Sequence, residues 1–420
     1  MKYFFFQIVL ISMLFIPFSL SSNNSIANQT IFPAYVPYVD ICQWPPFDIS
    51  AVDSTGICLY TLAFIVDDQF QDGANPCWGG YSNLDMTWYV DKINTLRENG
   101  GDIIISFGGA SGQPLAYTAT DENELFNAYK TVIDSYQISS LDFDIEGMFV
   151  AHPSSIERRS KAMKLLQQAY PGLQISLTLP VMPTGLTGDG INVIKQALLQ
   201  NVDISLINLM TMDYGGDGDM GDNAISALNA TFTQIKNLYQ EQGLTLPDSA
   251  IWRKLGATPM IGQNDVASEV FYTVDALDLR NFAFEKKIGR LAIWSANRDK
   301  QCENSSDPLY KCSHIEQEPF EFSSIFQMDG TIHYCDETVG ESEFITEESV
   351  INLFPNPAHG SVTISGCEKA SVLLLNLSGK QLSKVSLNNK TFNISGYSPG
   401  LYIVKIETPA KSVFKKLIIY

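Results

Sequence analysis

Three acids set two residues apart, Asp142, Asp144 and Glu146, alternate with Leu141, Phe143 and Ile145 in the stretch from Ser139 to Gly147. A period of two is that of a β-strand, so the carboxyls share one face and the apolar side chains the other. Neighbours on one face of a strand lie roughly 7 Å apart. Carboxylates at that spacing repel one another, and burial adds a desolvation cost, so at least one is expected to hold its proton well above its free value. Such a row adds no stability to a fold. The chemistry it suits is proton donation by the last acid while an inner one orients a reacting group. Phe143 and Ile145 predict an apolar layer behind the strand, which argues against a solvated acidic edge.

Strand-like segments at 36–44, 57–66, 102–107, 173–179, 204–212, 255–261 and 290–294 flank the acidic strand. Helical patterns at 82–99, 121–136, 154–169, 192–199, 223–241 and 266–286 separate most of them, with Gly100-Gly101 and Pro171-Gly172 as stops. Eight strands, most followed by a helix, read as an α/β fold of the (β/α)8 TIM-barrel kind. A doubly wound open sheet would call for a Gly-rich phosphate turn after the first strand, where Cys42-Gln43-Trp44-Pro45-Pro46 stands instead.

In a barrel the chemistry gathers at the C-terminal strand ends. Those ends carry Trp44, then Ser106 with Gly108-Gly109, then the acids, then Met210, Asp213 and Tyr214, then Gln263 and Asn264, and last Trp294 with Asn297. Acids at one strand end and aromatics at others describe a sugar site. Trp or Tyr stacks on the ring while carboxyls act on the glycosidic bond.

With 27 Lys+Arg against 46 Asp+Glu, the chain carries −19, a field that repels phosphate and disfavours nucleic acid and anionic lipid as partners. Its 420 residues accommodate one large domain and a small one. Met1-Lys2, the apolar run Tyr3 to Leu20 and then Ser21-Ser22-Asn23 read as a signal peptide over residues 1–22, an uncleaved anchor being the alternative. Seven cysteines without a CxxC pair and four scattered histidines suit disulfides rather than a metal, and neither metal nor cofactor is expected. Cys302 and Cys312 enclose a short polar loop and are expected to pair; Cys42, Cys58 and Cys77 offer a second bridge. Asp217 to Asp222 lacks the ligand spacing of a calcium loop and reads as a surface loop.

The barrel is expected over residues 30–328, closed by a helix near Pro319 to Phe326, and a polar, acidic linker over 329–350. Residues 351–420 carry eight Lys/Arg and two Asp/Glu, +6, leaving −25 for the rest. Short alternating strands at 361–365, 371–377, 381–387, 401–407 and 412–419, separated by turn residues, predict a small all-β sandwich.

The acidic strand resembles the D-x-x-D-x-D-x-E signature of glycoside hydrolase family 18, the chitinases and their relatives. Ser106-Phe107-Gly108-Gly109 is similar to that family's S-x-G-G on strand three, Met210-Thr211-Met212-Asp213-Tyr214 to its M-x-Y-D on strand six, and Trp294 to the Trp beneath the scissile sugar. The resemblance covers roughly residues 35–327. It implies that Glu146 is the general acid, that Asp144 orients the substrate's own acetamido group as nucleophile, and that Asp142 shares charge or a proton with Asp144. Configuration would be retained without a protein nucleophile.

Two positions depart from the pattern: the first Asp is Ser139, and the Tyr of M-x-Y-D is Met212, with Tyr214 as the candidate replacement. The segment from Asp265 to Gly289 is too short for the α+β insertion that walls the cleft in some relatives, so an open cleft with endo cleavage is expected. The implied substrate is chitin or another N-acetylglucosamine-containing glycan, and a monomer is expected. An endo-β-N-acetylglucosaminidase and a non-catalytic chitin-binding lectin are the alternatives; the presence of both Asp144 and Glu146 favours an enzyme.

Leu353-Phe354-Pro355-Asn356-Pro357, Gly400-Leu401-Tyr402 and Lys415-Lys416-Leu417 resemble the C-terminal sorting domain of type IX secretion. That implies export across both membranes, to the medium or the cell surface, by the type IX machinery. A carbohydrate-binding sandwich would present exposed Trp, and this tail has none.

Overall fold

A computed structural model describes residues 33–327, apart from 52–54 and 217, and residues 352–419, apart from 357, 366–369, 376–380, 388–390 and 408–411. The expected signal peptide (1–22) and linker (329–350) lie outside the described residues.

Eight parallel strands close on themselves. The first, β1, runs in two segments, Ala34–Tyr35 and Tyr38–Asp40. Then come β2 (Leu59–Asp67), β3 (Asp102–Gly108), β4 (Ser140–Asp144) and β5 (Gln174–Met182). The set ends with β6 (Leu206–Met210), β7 (Leu255–Thr258) and β8 (Arg290–Leu291). Each pairs with its sequence neighbour. β1 closes the ring because its first segment pairs with β8 and its second with β2. Pro37 divides it, having no N–H for a ladder bond, while its carbonyl still accepts from Thr61 N.

Helices alternate with the strands: α1 (Val90–Glu98), α2 (Glu122–Tyr136), α3 (Pro153–Ala169), α4 (Gly188–Leu199), α5 (Met220–Glu241), α6 (Thr273–Lys286) and α7 (Glu321–Phe326). In α2, Asp121 caps the first turn by accepting from Asn123 N and Glu124 N. Leu125, Ala128, Tyr129, Val132, Ile133 and Tyr136 then recur at helical spacing and are buried. Phe143 packs its ring against Phe107 and Tyr129, the apolar layer that the acidic strand's alternation predicts.

Three elements differ from expectation. The helix predicted over 82–99 begins only at Val90, because Asp85 accepts from the backbone and hydroxyl of Thr87, and Tyr89 has a φ of 68°. The pattern at 266–286 is a helix only from Thr273; Val270–Phe271 pairs with Gly262–Gln263 as a hairpin. The first strand stops at Asp40, whose carboxylate turns the chain by accepting from Cys42 N, so Trp44 lies outside the strand. Cys302 and Cys312 form the expected disulfide. Cys42 and Cys77 are free thiols, so neither pairs with Cys58, which is itself disulfide-bonded.

The C-terminal residues form two antiparallel sheets, Asn352–Phe354, Ser361–Ser365 and Thr391–Asn393 in one, Ala370–Leu375, Gln381–Leu387, Gly400–Glu407 and Ser412–Ile419 in the other. Val362, Ile364, Phe392, Val372, Leu374 and Val404 share one core between them, the small all-β fold expected from the tail.

Candidate active site

Asp142 is fully buried and its two oxygens are taken up by four hydroxyls. Oδ2 accepts from Tyr38 Oη at 2.9 Å and Ser106 Oγ at 2.7 Å; Oδ1 accepts from Ser176 Oγ at 2.6 Å and Thr178 Oγ1 at 2.8 Å. Four donors on one carboxyl leave it with accepting contacts only. The donors come from β1, β3 and β5, and in the parallel register Ser106, Asp142 and Ser176 stand side by side. Ser139 is exposed and stands outside this cluster, so the hydroxyls, not position 139, support Asp142. β3 can lie close to the end of β4 because residue 108 is glycine, with φ 110°; a Cβ there would fall 2.0 Å from the carbonyl oxygen of Asp144.

Asp144 is buried at the end of β4, and Glu146 follows in extended conformation as the cap of the turn Gly147–Val150. The two carboxyls are hydrogen-bonded to each other. Burial pushes Asp144 well above the usual carboxylate range, and the charges of Glu146 and Asp142 add to it. Glu146 is raised too. Burial is again the main cause; Asp213 and Asp265 contribute by repulsion, while the bond from Asp144 works the other way. The two carboxyls titrate together as a pair, and Asp144 Oδ1 is buried with no hydrogen-bond partner among the described residues.

The ends of β6 and β7 are tied together by carboxylates. Glu269, buried, accepts from Tyr214 N at 3.0 Å, Gly215 N at 2.7 Å and Gly216 N at 3.1 Å. Asp213, at φ 49°, accepts in return from Val266 N at 2.9 Å. This clasp aims Asp213 and Tyr214, and the Tyr214 hydroxyl is buried without a hydrogen-bond partner among the described residues. Gln263 and Asn264, expected to meet the substrate, are occupied in the same clasp. Gln263 Nε2 donates to the carbonyls of Asn264, Val266, Ala267 and Glu269. Asn264 is fully buried, donates to Met260 O and Gly262 O and accepts from Asp213 N. Both hold the loop through these bonds.

Trp294 stacks on Phe64, centroids 5.3 Å apart, and meets Tyr38 edge-on at 6.1 Å, which puts it beside a residue that touches Asp142. Met210, at the end of β6, is buried in register with Pro180 and Thr258. Trp44 is 83 % exposed and lines a cavity of about 750 Å³ with Asn297, Tyr310 and Gln317. The sequence reading missed Tyr38, Ser176, Thr178 and Glu269. Ser176 and Thr178 had a signal: within Leu173 to Leu179 they alternate with Ile175, Leu177 and Leu179, as the acids do on β4.

Comparisons with known proteins agree with this arrangement. Residues 352–420 match the secretion system C-terminal sorting domain family, which points to export. The chain is 36% identical over 311 residues to the probable bifunctional chitinase/lysozyme of Escherichia coli K12, covering 70% of this chain and 34% of that protein. It is 37% identical over 280 residues to Endochitinase 11 of Metarhizium anisopliae, covering 63% and 52%. The chain thus spans about half or less of the length of these curated relatives. The crystal structure of the catalytic domain of a hyperthermophilic chitinase from Pyrococcus furiosus is similar with a TM-score of 0.63 and 33% identity, over 71% of this chain and 96% of that one. With its barrel, its acid strand and this likeness along nearly the whole of a solved catalytic domain, the chain belongs to glycoside hydrolase family 18, the chitinases and their relatives.

Proposed function

We propose that the protein is an exported chitinase that cleaves β-1,4 linkages between N-acetylglucosamine units with retention of configuration. The observation that carries this reading is the hydrogen-bonded Asp144–Glu146 pair, set above an Asp142 that four hydroxyls hold as an acceptor. Glu146 gives that proton to the glycosidic oxygen as the bond to the anomeric carbon breaks. The acetamido oxygen of the same sugar attacks that carbon and forms a cyclic oxazolinium ion. Asp144 Oδ1 is free to accept from the acetamido N–H, and the carboxylate pair left behind offsets the positive ring. Glu146 then takes a proton from the water that opens the ring, which restores the starting state. Trp294 supports the apolar face of the reacting sugar, and Asp213 and Tyr214 line the opposite side.

The stretch between β7 and β8 holds only a hairpin and α6, which supports an open cleft and endo action. The relatives' names, chitinase/lysozyme and endochitinase, support the same linkage class. The test is product analysis on colloidal chitin beside a high-mannose glycopeptide. Mixed oligomers from chitin alone are expected. Cleavage of the glycopeptide core alone would replace chitin with N-glycan as substrate, and predominant disaccharide release from one chain end would overturn endo action.

In this reading residues 30–328 are the catalytic unit and 351–420 the sorting domain, joined by 329–350, after removal of 1–22. Deleting 351–420 is expected to leave the protein in the periplasm with its hydrolytic activity intact. Fractionation that finds the truncated form outside the cell would remove the sorting role.

A further inference from the structure

Arg290 opens β8 at the end of the barrel away from the acids' loops, yet its side chain belongs to their network. In the barrel register Asp144 pairs with Thr178, Thr178 with Asn208, Asn208 with Gly256 and Gly256 with Arg290. Thr178 and Asn208 point inward, since Asn208 Nδ2 donates to both Tyr38 Oη and Thr178 Oγ1 at 3.2 Å. Arg290 follows them. At Gly256 an added Cβ would sit 2.9 Å from Asn208 Oδ1 and 3.2 Å from Arg290 Cβ, so the missing side chain leaves the room in which the arginine turns inward. Its Nη1 reaches Ser176 Oγ at 3.4 Å, and that hydroxyl donates to Asp142 Oδ1 at 2.6 Å. No carboxylate lies within ion-pair distance of Arg290 among the described residues.

We propose that Arg290 is a positioning residue for the reaction: a cation beneath Asp142 that acts through Ser176 to keep Asp142 an acceptor, so that the proton stays with Asp144 and Glu146. This rests on the reading of the acids given above. The charged and titratable groups facing the cluster are Asp142, Asp144 and Glu146 from β4 and its turn, Tyr38 from β1, Asp213 and Asp265 from the loops after β6 and β7, and Arg290 itself. β3 and β5 offer only hydroxyls to Asp142. The same geometry shows at Tyr38, whose phenol is pushed up by burial and by Asp142 and Asp144, with Arg290 opposing them.

The experiment is the pH profile of kcat/KM on an umbelliferyl chitotrioside for the full chain, R290K, R290M and S176A. R290M is expected to move the acidic limb up by about one pH unit, because losing a positive charge beside the acid cluster makes the cluster take up its next proton more readily. R290K keeps the charge and the wild-type limb. S176A breaks the link with Arg290 in place and shifts the limb in the same direction by less, which decides the matter if R290M does not fold. A loss of rate equal at all pH values, with the limbs unmoved, makes Arg290 a structural plug and overturns the proposal. An inactive wild type would instead sink the functional reading on which it rests.

Discussion

Glu146→Gln is expected to lower kcat on chitooligosaccharides by about 10³-fold, the loss typical of removing a positioned general acid, while their Kd stays within about twofold. Glutamine keeps the size and the hydrogen-bonding shape of the side chain but has no proton to give to the leaving oxygen. The turn Gly147–Val150 that Glu146 caps uses no side-chain bond from it, so the substitution leaves the backbone in place. Burial raises Glu146 above its ordinary range, which favours the protonated form that a general acid needs, and Asp213 and Asp265 help by repulsion. Isothermal titration on the inactive variant beside kinetics on the wild type makes the check. Unchanged turnover would remove Glu146 from the mechanism, and lost binding would make it a substrate contact instead.

Asp144→Asn carries two expected effects of opposite sign. Activity falls by about 10²-fold or more, since the amide no longer offsets the developing positive ring. Stability near neutral pH rises. The sign follows from linkage: Asp144 is raised in the folded state, chiefly by burial, above the ~3.9 of an unfolded aspartate. Between those two values the folded protein binds more protons than the unfolded chain, so stability drops as pH climbs through the window. Asparagine does not titrate and escapes that drop. Melting temperatures of variant and wild type are therefore expected to converge below about pH 4 and to separate, variant higher, as pH rises. A gap that is constant with pH, or that favours the wild type near neutrality, would show that Asp144 carries no buried charge cost. Because Asp144 and Glu146 are hydrogen-bonded to each other, the midpoint of the divergence belongs to the pair.

The acid row shows where a sequence is readable and where it is not. The alternation from Leu141 to Glu146 is a property of one strand's own backbone, and a period of two assigns its faces without any partner. Strand-to-helix alternation fixes a barrel in the same local way, and the barrel then names the strand ends where chemistry collects. Each of the eight strands accordingly overlaps the segment its pattern predicts, with Asp144 at the end of its strand and Glu146 just beyond.

Partners of those residues follow another rule. Tyr38 stands 104 residues from Asp142, Ser106 stands 36 away and Ser176 stands 34 away, and they meet only because the closed ring sets one register around all eight strands. Gln263 and Asn264 have the residue types of sugar contacts, yet a hairpin after β7 turns their amides onto backbone carbonyls. Trp44 follows a strand in the sequence, but a turn at Asp40 ends that strand before it and leaves its ring exposed. By itself, then, the sequence determined the fold, the acids and their order along the chain, because periodicity and motif spacing are local. The tertiary structure alone decided which hydroxyls hold Asp142, which acids raise Glu146 and where Arg290 points, because those depend on distances across the barrel that only closure of the ring sets.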